Sequence, residues 1–458
     1  MHRSGPHRRS VAGIAASLAL ATVAAHAAAD DSIAGPYPVS QRSVTVTRAN
    51  GTTFTAQVRY PATSSAAAAP FSPAATPAPA ISFGHGFLSA VDLYDSTMDH
   101  LASHGYIVIA TTSEGSILPN HANFALDIRQ CLTWLEQQDA LAGSWLLGAV
   151  DEAKFGVSGH SMGGGASALA AAADARIKCL ATLAAAETNP SAANAALSIQ
   201  VPARFIVGSQ DSIVAPATTQ NQYANTDAPR QFATITGGSH CGFIDSAIIA
   251  CDSGSITRAD QLAKTRALLL EFFNTHLRGD AARYATVWGA GATVAGTTLV
   301  RDARIASSLA PASVSGALDT VIPVTLSVTN IGPDASAIRP RATGPALDIQ
   351  FEPAETALLS AGQSASVTAW VRGLAAGPAQ ATIDAVRVRD GAGTSHILLA
   401  DFAGGPVQGD LDGDGDVDAA DLATLLNSWG ACKGCAADFD GNGAVDGSDI
   451  AVLLNAWG

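Results

Sequence analysis

An apolar run at residues 155–157 leads into Gly159-His160-Ser161-Met162-Gly163, and an Ala-rich segment of helical composition, 164–173, follows at once. A chain that turns from strand to helix over so few residues belongs on a sheet with its helices packed across the face. The flanking glycines let the backbone make that turn. A serine hydroxyl is a poor nucleophile at its ordinary pKa, and a sharp exposed turn holds it within reach of a base. From residue 43 to 276, short runs rich in β-branched residues alternate with Ala/Leu segments, the pattern of a mostly parallel sheet covered by helices in the α/β class. Strands are predicted at 43–47, 54–60, 80–83, 106–111, 154–157, 179–183, 204–207 and 231–234. Helices are predicted at 91–103, 123–138, 162–173 and 260–276. The Ala/Pro/Ser tract 62–79 reads as a flexible surface insertion.

Beyond about residue 295 alternating Val/Leu/Thr runs (321–328, 364–371, 382–388) are separated by Gly, Pro and Asp turns, which predicts an immunoglobulin-like β-sandwich over 295–404. The last segment, 408–458, repeats itself: each half ends in Leu-Leu-Asn-x-Trp-Gly, at Leu425 to Gly430 and again at Leu453 to Gly458. At 458 residues, with 48% hydrophobic and 14% charged residues, the chain is long enough for about three domains and is not disordered throughout. The formal charge of -14 argues against a nucleic-acid partner, and ten Asp residues in the last fifty positions give it a local cause.

Arg8 and Arg9 precede an apolar stretch, 11–25, that ends in Ala25-His26-Ala27, the small-x-small pattern of a signal-peptidase site. A signal peptide is expected over 1–28, and the product is expected to be secreted or attached at the cell surface. No later segment reaches the roughly 20 apolar residues of a membrane span, so it is not expected to be membrane-spanning. Export permits disulfides among the six cysteines. Cys241 with Cys251 is the favoured pair; Cys432 with Cys435 is tight but possible, and Cys131 and Cys179 read as buried thiols.

A nucleophilic serine needs a base, an orienting carboxylate and an oxyanion hole, which in this fold follow in the order serine, acid, histidine at successive strand ends. Asp211 follows the strand 204–207 through Gly208-Ser209-Gln210, and His240 follows the next strand through Thr236-Gly237-Gly238-Ser239. Ser161, Asp211 and His240 are therefore the candidate catalytic residues, with Glu187 as the competing acid. His85-Gly86-Phe87 lies where a second oxyanion donor is expected, so the backbone amides of Phe87 and Met162 are the candidate oxyanion hole.

These motifs, with Gly208-Ser209-Gln210-Asp211-Ser212, Gly237-Gly238-Ser239-His240, Leu101-Ala102-Ser103-His104-Gly105 and Arg283-Tyr284, resemble the bacterial cutinase and polyester-hydrolase, dienelactone-hydrolase-like branch of the α/β-hydrolases. The resemblance spans about residues 35–289, and a catalytic domain is expected over 30–290. It implies a serine ester hydrolase with Ser161, Asp211 and His240 as triad and no catalytic cofactor. Where polyester-degrading members carry a Trp, this chain has Ala185-Ala186-Glu187. The terminal repeats resemble a dockerin module. That resemblance implies Ca²⁺ on Asp410, Asp412, Asp414, Asp418 and Asp421, then on Asp438, Asp440, Asn442, Asp446 and Asp449, with Asp416 and Ala444 completing the set. In family terms such a module docks to a cohesin-like protein or a cell-surface scaffold. Three functions are expected to compete: a lipid or polyester esterase, an acetyl or feruloyl esterase on plant wall polysaccharide, and a non-catalytic calcium-dependent attachment protein.

Overall fold

A computed structural model describes residues 31–457 except 319, 405, 406, 414 and 415. The expected signal peptide and the candidate ligand Asp414 lie outside the described residues. Nine strands build one sheet: β1 (Val39–Thr47), β2 (Thr53–Pro61), β3 (Ala78–Gly84), β4 (Ile107–Thr111), β5 (Val150–His160), β6 (Ile177–Leu183), β7 (Ala203–Gly208), β8 (Arg230–Ile235) and β9 (Thr297–Asp302). Their order is β1-β2-β4-β3-β5-β6-β7-β8-β9. The strands from β4 across to β8 pair in parallel, and antiparallel pairs close both edges. The helices are α1 (Asp95–Ser103), α2 (His121–Ala140), α3 (Met162–Ala173), α4 (Ala192–Ala196), α5 (Pro216–Asn225), α6 (Arg258–Phe273) and α7 (Tyr284–Val287).

Strand period explains how the sheet is covered on both faces. Along β4, Val108 and Ala110 belong to one core with Met98, Leu101 and Phe273, whereas Ile107 and Ile109 belong to the other with Phe124, Ile128 and Phe155. An unbroken apolar run of alternating direction has no solvated side, as a central parallel strand requires. Two caps set helix starts: the Asn120 side chain accepts from Asn123 N at 3.0 Å for α2, and Thr257 accepts from Asp260 N at 3.1 Å for α6.

Two expectations need correction. The tract 62–79 is packed rather than loose: Tyr60 Oη donates to Ala69 O (2.7 Å), Ser40 Oγ to Ala66 O (2.7 Å) and Arg42 Nη2 to Ala68 O (2.8 Å), while Phe71 stacks on Tyr60. Those tertiary bonds override a composition that suggests a flexible insertion. Residues 297–302, expected in the β-sandwich, instead pair with β8 as the edge strand β9.

The segment that follows holds β10 (Ile305–Ala310), β11 (Ser313–Ala317), β12 (Ile322–Asn330), β13 (Ile338–Thr343), β14 (Leu347–Glu352), β15 (Ser364–Gly373), β16 (Gly377–Arg387) and β17 (Gly393–Ala403). They form two four-stranded sheets, β10-β12-β15-β14 and β11-β17-β16-β13, with Val324, Leu326 and Val367 sharing a core with Ile383, Ala385 and Leu398. His276, beyond α6, donates from Nδ1 to Asp390 O (3.0 Å) and accepts at Nε2 from Trp288 Nε1 (3.1 Å), which fastens the end of that helix to the β16–β17 turn. The last segment carries α8 (Ala419–Asn427), α9 (Gly447–Asn455) and a short antiparallel pair, β18 (Gly430–Ala431) with β19 (Ala444–Val445), around Val417, Leu425, Val445 and Leu453. No described helix is long and apolar enough to cross a membrane.

Candidate active site

Ser161 sits between β5 and α3 with φ 56° and ψ -119°, a backbone conformation that costs a non-glycine residue of order 1–3 kcal/mol. The surroundings over-determine it: Ser161 N donates to Leu183 O (2.9 Å), and Ser161 O accepts from Gly165 N (3.1 Å) and Ala186 N (2.9 Å). The turn is this tight because α3 lies almost on the backbone of β3. A Cβ added at Gly163 would meet Gly84 O at 2.1 Å, and one at Gly159 would meet Gly163 O at 2.4 Å. The same approach explains the small residues that follow β6, since a Cβ at Gly165 would reach Ala186 O at 2.4 Å.

Asp211 and His240 follow β7 and β8, and their loops bring them together. His240 Nδ1 lies 2.7 Å from Asp211 Oδ2, with both side chains buried. The other oxygen, Oδ1, accepts from Ile213 N (3.0 Å) and Val214 N (2.8 Å), which leaves Oδ2 for the imidazole. The His240 ring lies 4.5 Å, centroid to centroid, from the ring of His160, the residue before Ser161. Glu187, the competing acid, is exposed, and its Oε2 accepts from Ala193 N (3.1 Å).

A carboxylate that the motif reading missed joins the two loops. Asp252 Oδ2 accepts from Ser212 N (3.0 Å) and His240 N (2.9 Å), and Oδ1 accepts from Cys241 N (2.9 Å). Burial pushes the Asp252 carboxyl up, but these three N–H donors outweigh it and hold the group below the usual carboxylate range. Cys251, its neighbour, is bonded to Cys241 with a Cα–Cα distance of 5.6 Å. Cys432 is bonded to Cys435, while Cys131 and Cys179 are free and buried. Asp252's position one residue after a cysteine was the only signal the sequence offered.

At the candidate oxyanion donors, the backbone N–H groups of Phe87 and Met162 donate to no backbone carbonyl among the described residues. Gly86 N donates to Tyr94 Oη (2.9 Å), and Tyr94 Oη lies 2.9 Å from His160 Nδ1. Burial pushes the Tyr94 phenol up to about 12. Burial and then the His240 imidazole push His160 well below the ordinary imidazole range, against the pull of the His240 backbone carbonyl. A cleft of about 420 Å³ opens over Ser161, lined by Phe87, Ile117, Leu118, Met162, His121 and Glu187. Its rim is apolar and in solvent, with Ile117 73%, Leu118 85% and Phe87 45% exposed.

The terminal repeats place their carboxylates in matching sets. Asp410, Asp412 and Asp421 offer oxygens within 4.8 Å of one another, as do Asp416, Asp418 and Asp421, and Asp438, Asp440 and Asp449. Oxygens bound to one calcium ion at 2.3–2.6 Å lie no more than about 5 Å apart, so these groups fit such a cation. Asp418 and Asp446 cap α8 and α9, each in a reciprocal box with Asp421 or Asp449. Backbone N–H groups of Asp418, Leu411 and Asp412 hold the Asp421 carboxyl below its usual range. In the second loop Asn442 Nδ2 donates to Asp440 Oδ2 (3.0 Å), and Ala444 N donates to Asn442 Oδ1 (2.9 Å).

Comparison with known families gives two matches. The family described as PET hydrolase-like matches residues 22–253, just over half of the chain, and the dockerin type I domain matches residues 408–456. No curated protein matches the chain.

Proposed function

We propose, for a chain that belongs to the PET hydrolase-like family and ends in a type I dockerin domain, a secreted serine carboxylic ester hydrolase tethered through that domain. Ser161 attacks the ester carbonyl, His240 takes its proton and returns it to the leaving alcohol, and Asp211 fixes the imidazole with Nδ1–H toward the carboxylate. Nε2 is then the free base. The N–H groups of Phe87 and Met162 receive the developing oxyanion, and water releases the acyl group. One observation carries this reading: a buried imidazole 2.7 Å from a buried carboxylate, its ring 4.5 Å from that of His160, the residue before a cleft-lining serine held at positive φ.

The exposed Phe87, Ile117 and Leu118 favour an apolar acyl group or a water-insoluble polyester or lipid surface as substrate. A second reading, acetyl or feruloyl ester cleavage on plant wall polysaccharide, draws support from Glu187 and His121, the polar side chains of the cleft besides Ser161, and from the dockerin. The two four-stranded sheets run in the orders A-B-E-D and A′-G-F-C when lettered along the chain, which supports an immunoglobulin-like sandwich acting as spacer. In the dockerin segment Asp410, Asp412, Asp416, Asp418, Asp421, Asp438, Asp440 and Asp449 would hold Ca²⁺, with Asn442, Asp446 and the Ala444 carbonyl in the second loop. Bound Ca²⁺ would offset carboxylate repulsion and stabilise the fold that meets a cohesin-like partner. Turnover of p-nitrophenyl butyrate tests the chemistry: Ser161→Ala is expected to lower kcat by at least about a thousandfold, and a loss of only a few-fold would refute the mechanism. Comparing polyester film, tributyrin and acetylated xylan separates the two substrate readings.

A further inference from the structure

We infer that Tyr94 and His160 are positioning residues for this reaction, a buried brace that holds the oxyanion loop against the nucleophile turn. The inference rests on the serine esterase reading above. The Tyr94 side chain is fully buried between Phe83, 5.0 Å away between ring centroids, and His160. A phenylalanine would fill such a space, and a buried hydroxyl costs free energy unless it is fully partnered. Here it is partnered twice: it accepts from Gly86 N and is hydrogen-bonded to His160 Nδ1, each at 2.9 Å. Accepting at Nδ1 requires a neutral imidazole, which is the form that burial and the adjacent His240 ring favour.

Each end of the brace meets the proposed chemistry. Gly86 precedes Phe87, and its carbonyl is fixed from the other side by His85 Nδ1 (2.8 Å) and Ser89 N (3.1 Å). In a planar trans peptide the Phe87 N–H points opposite to the Gly86 carbonyl, so fixing Gly86 fixes the direction of the donor. His160 precedes Ser161, and its ring packs against His240 (4.5 Å) and Phe243 (5.7 Å). A Cβ at position 86 would lie 3.0 Å from Tyr94 Oη and 3.3 Å from His160 Nδ1, so a side chain there would press on the brace.

The test compares p-nitrophenyl butyrate with its thiono analogue, because sulfur accepts hydrogen bonds poorly and the oxo-to-thiono rate ratio reports on the oxyanion donors. Tyr94→Phe is expected to lower kcat about ten- to a hundredfold with KM within about threefold, and to shrink the rate ratio at least about fivefold. Should that variant fail to fold, the pair His160→Leu and His160→Asn replaces it. Asn keeps an acceptor where Nδ1 lay and is expected to recover at least about fivefold of the activity that Leu loses. A folded Tyr94→Phe protein with an unchanged rate ratio, or Leu and Asn variants of equal activity, would overturn the brace. A wild type without ester turnover would instead refute the reading beneath it.

Discussion

At the scale of single residues the candidate site depends on side chains that do not line the cleft. Asp252 receives N–H bonds from Ser212, His240 and Cys241, so one carboxylate sets the spacing of the acid and histidine loops. Asp252→Ala is expected to lower kcat about tenfold with little change in KM, and peptide-level hydrogen exchange should show lost protection at residues 212, 240 and 241. Its folded pKa lies below the ordinary 3.8, so the stabilisation it gives is present above about pH 4 and is lost as pH falls through the folded value. The sequence singles out Ser161 as a candidate by its Gly-x-Ser-x-Gly setting at a strand end, and Asp211 and His240 because each follows a strand by a short glycine-containing turn. Tyr94 and Asp252 were not, because their partners are backbone groups and a ring brought close only by folding.

At the scale of elements the site depends on how closely α3 crosses β3. Gly163→Ala would drive a Cβ into the Gly84 carbonyl, and urea unfolding is expected to show a loss of about 3 kcal/mol or more; a loss below about 1 kcal/mol would show that the crossing can relax. The long elements were readable from periodicity, and α3 begins and ends where expected, at Met162 and Ala173. The helices α4 and α5 escaped because one has five residues and the other is polar, with only Thr219 and Gln222 buried. The strand β9 escaped because its half-buried sequence joins the sheet more than 60 residues after β8, a pairing no local pattern encodes. The tract 62–79 was misread since its order comes from the hydroxyls of Tyr60 and Ser40 rather than from its own composition.

At the scale of the whole molecule, two junctions respond to solution conditions. Burial lowers His276 from 6.5 to about 3, and its neutral form satisfies both the Asp390 carbonyl and the Trp288 indole. Below pH 6.5 the unfolded chain takes up a proton that the folded chain refuses, so stability present above that value drains away as pH falls toward 3. The loss is about 2 kcal/mol at pH 5, and the difference in unfolding free energy between pH 7 and pH 5 should shrink by about that amount in His276→Gln. For the terminal repeats, EGTA is expected to expose residues 408–456 to proteolysis while turnover of p-nitrophenyl butyrate stays unchanged, since the carboxylate sets lie in a segment with its own core. Equal loss of both would place Ca²⁺ in the catalytic half.

The most direct measurement of the central claim is the site of covalent capture by a fluorophosphonate, read by peptide mass mapping of the intact chain. One adduct is expected, on the peptide that contains Ser161, formed by the wild type and absent in His240→Ala. An unlabelled Ser161 in a protein that still hydrolyses esters, or an adduct on another residue, would contradict the account.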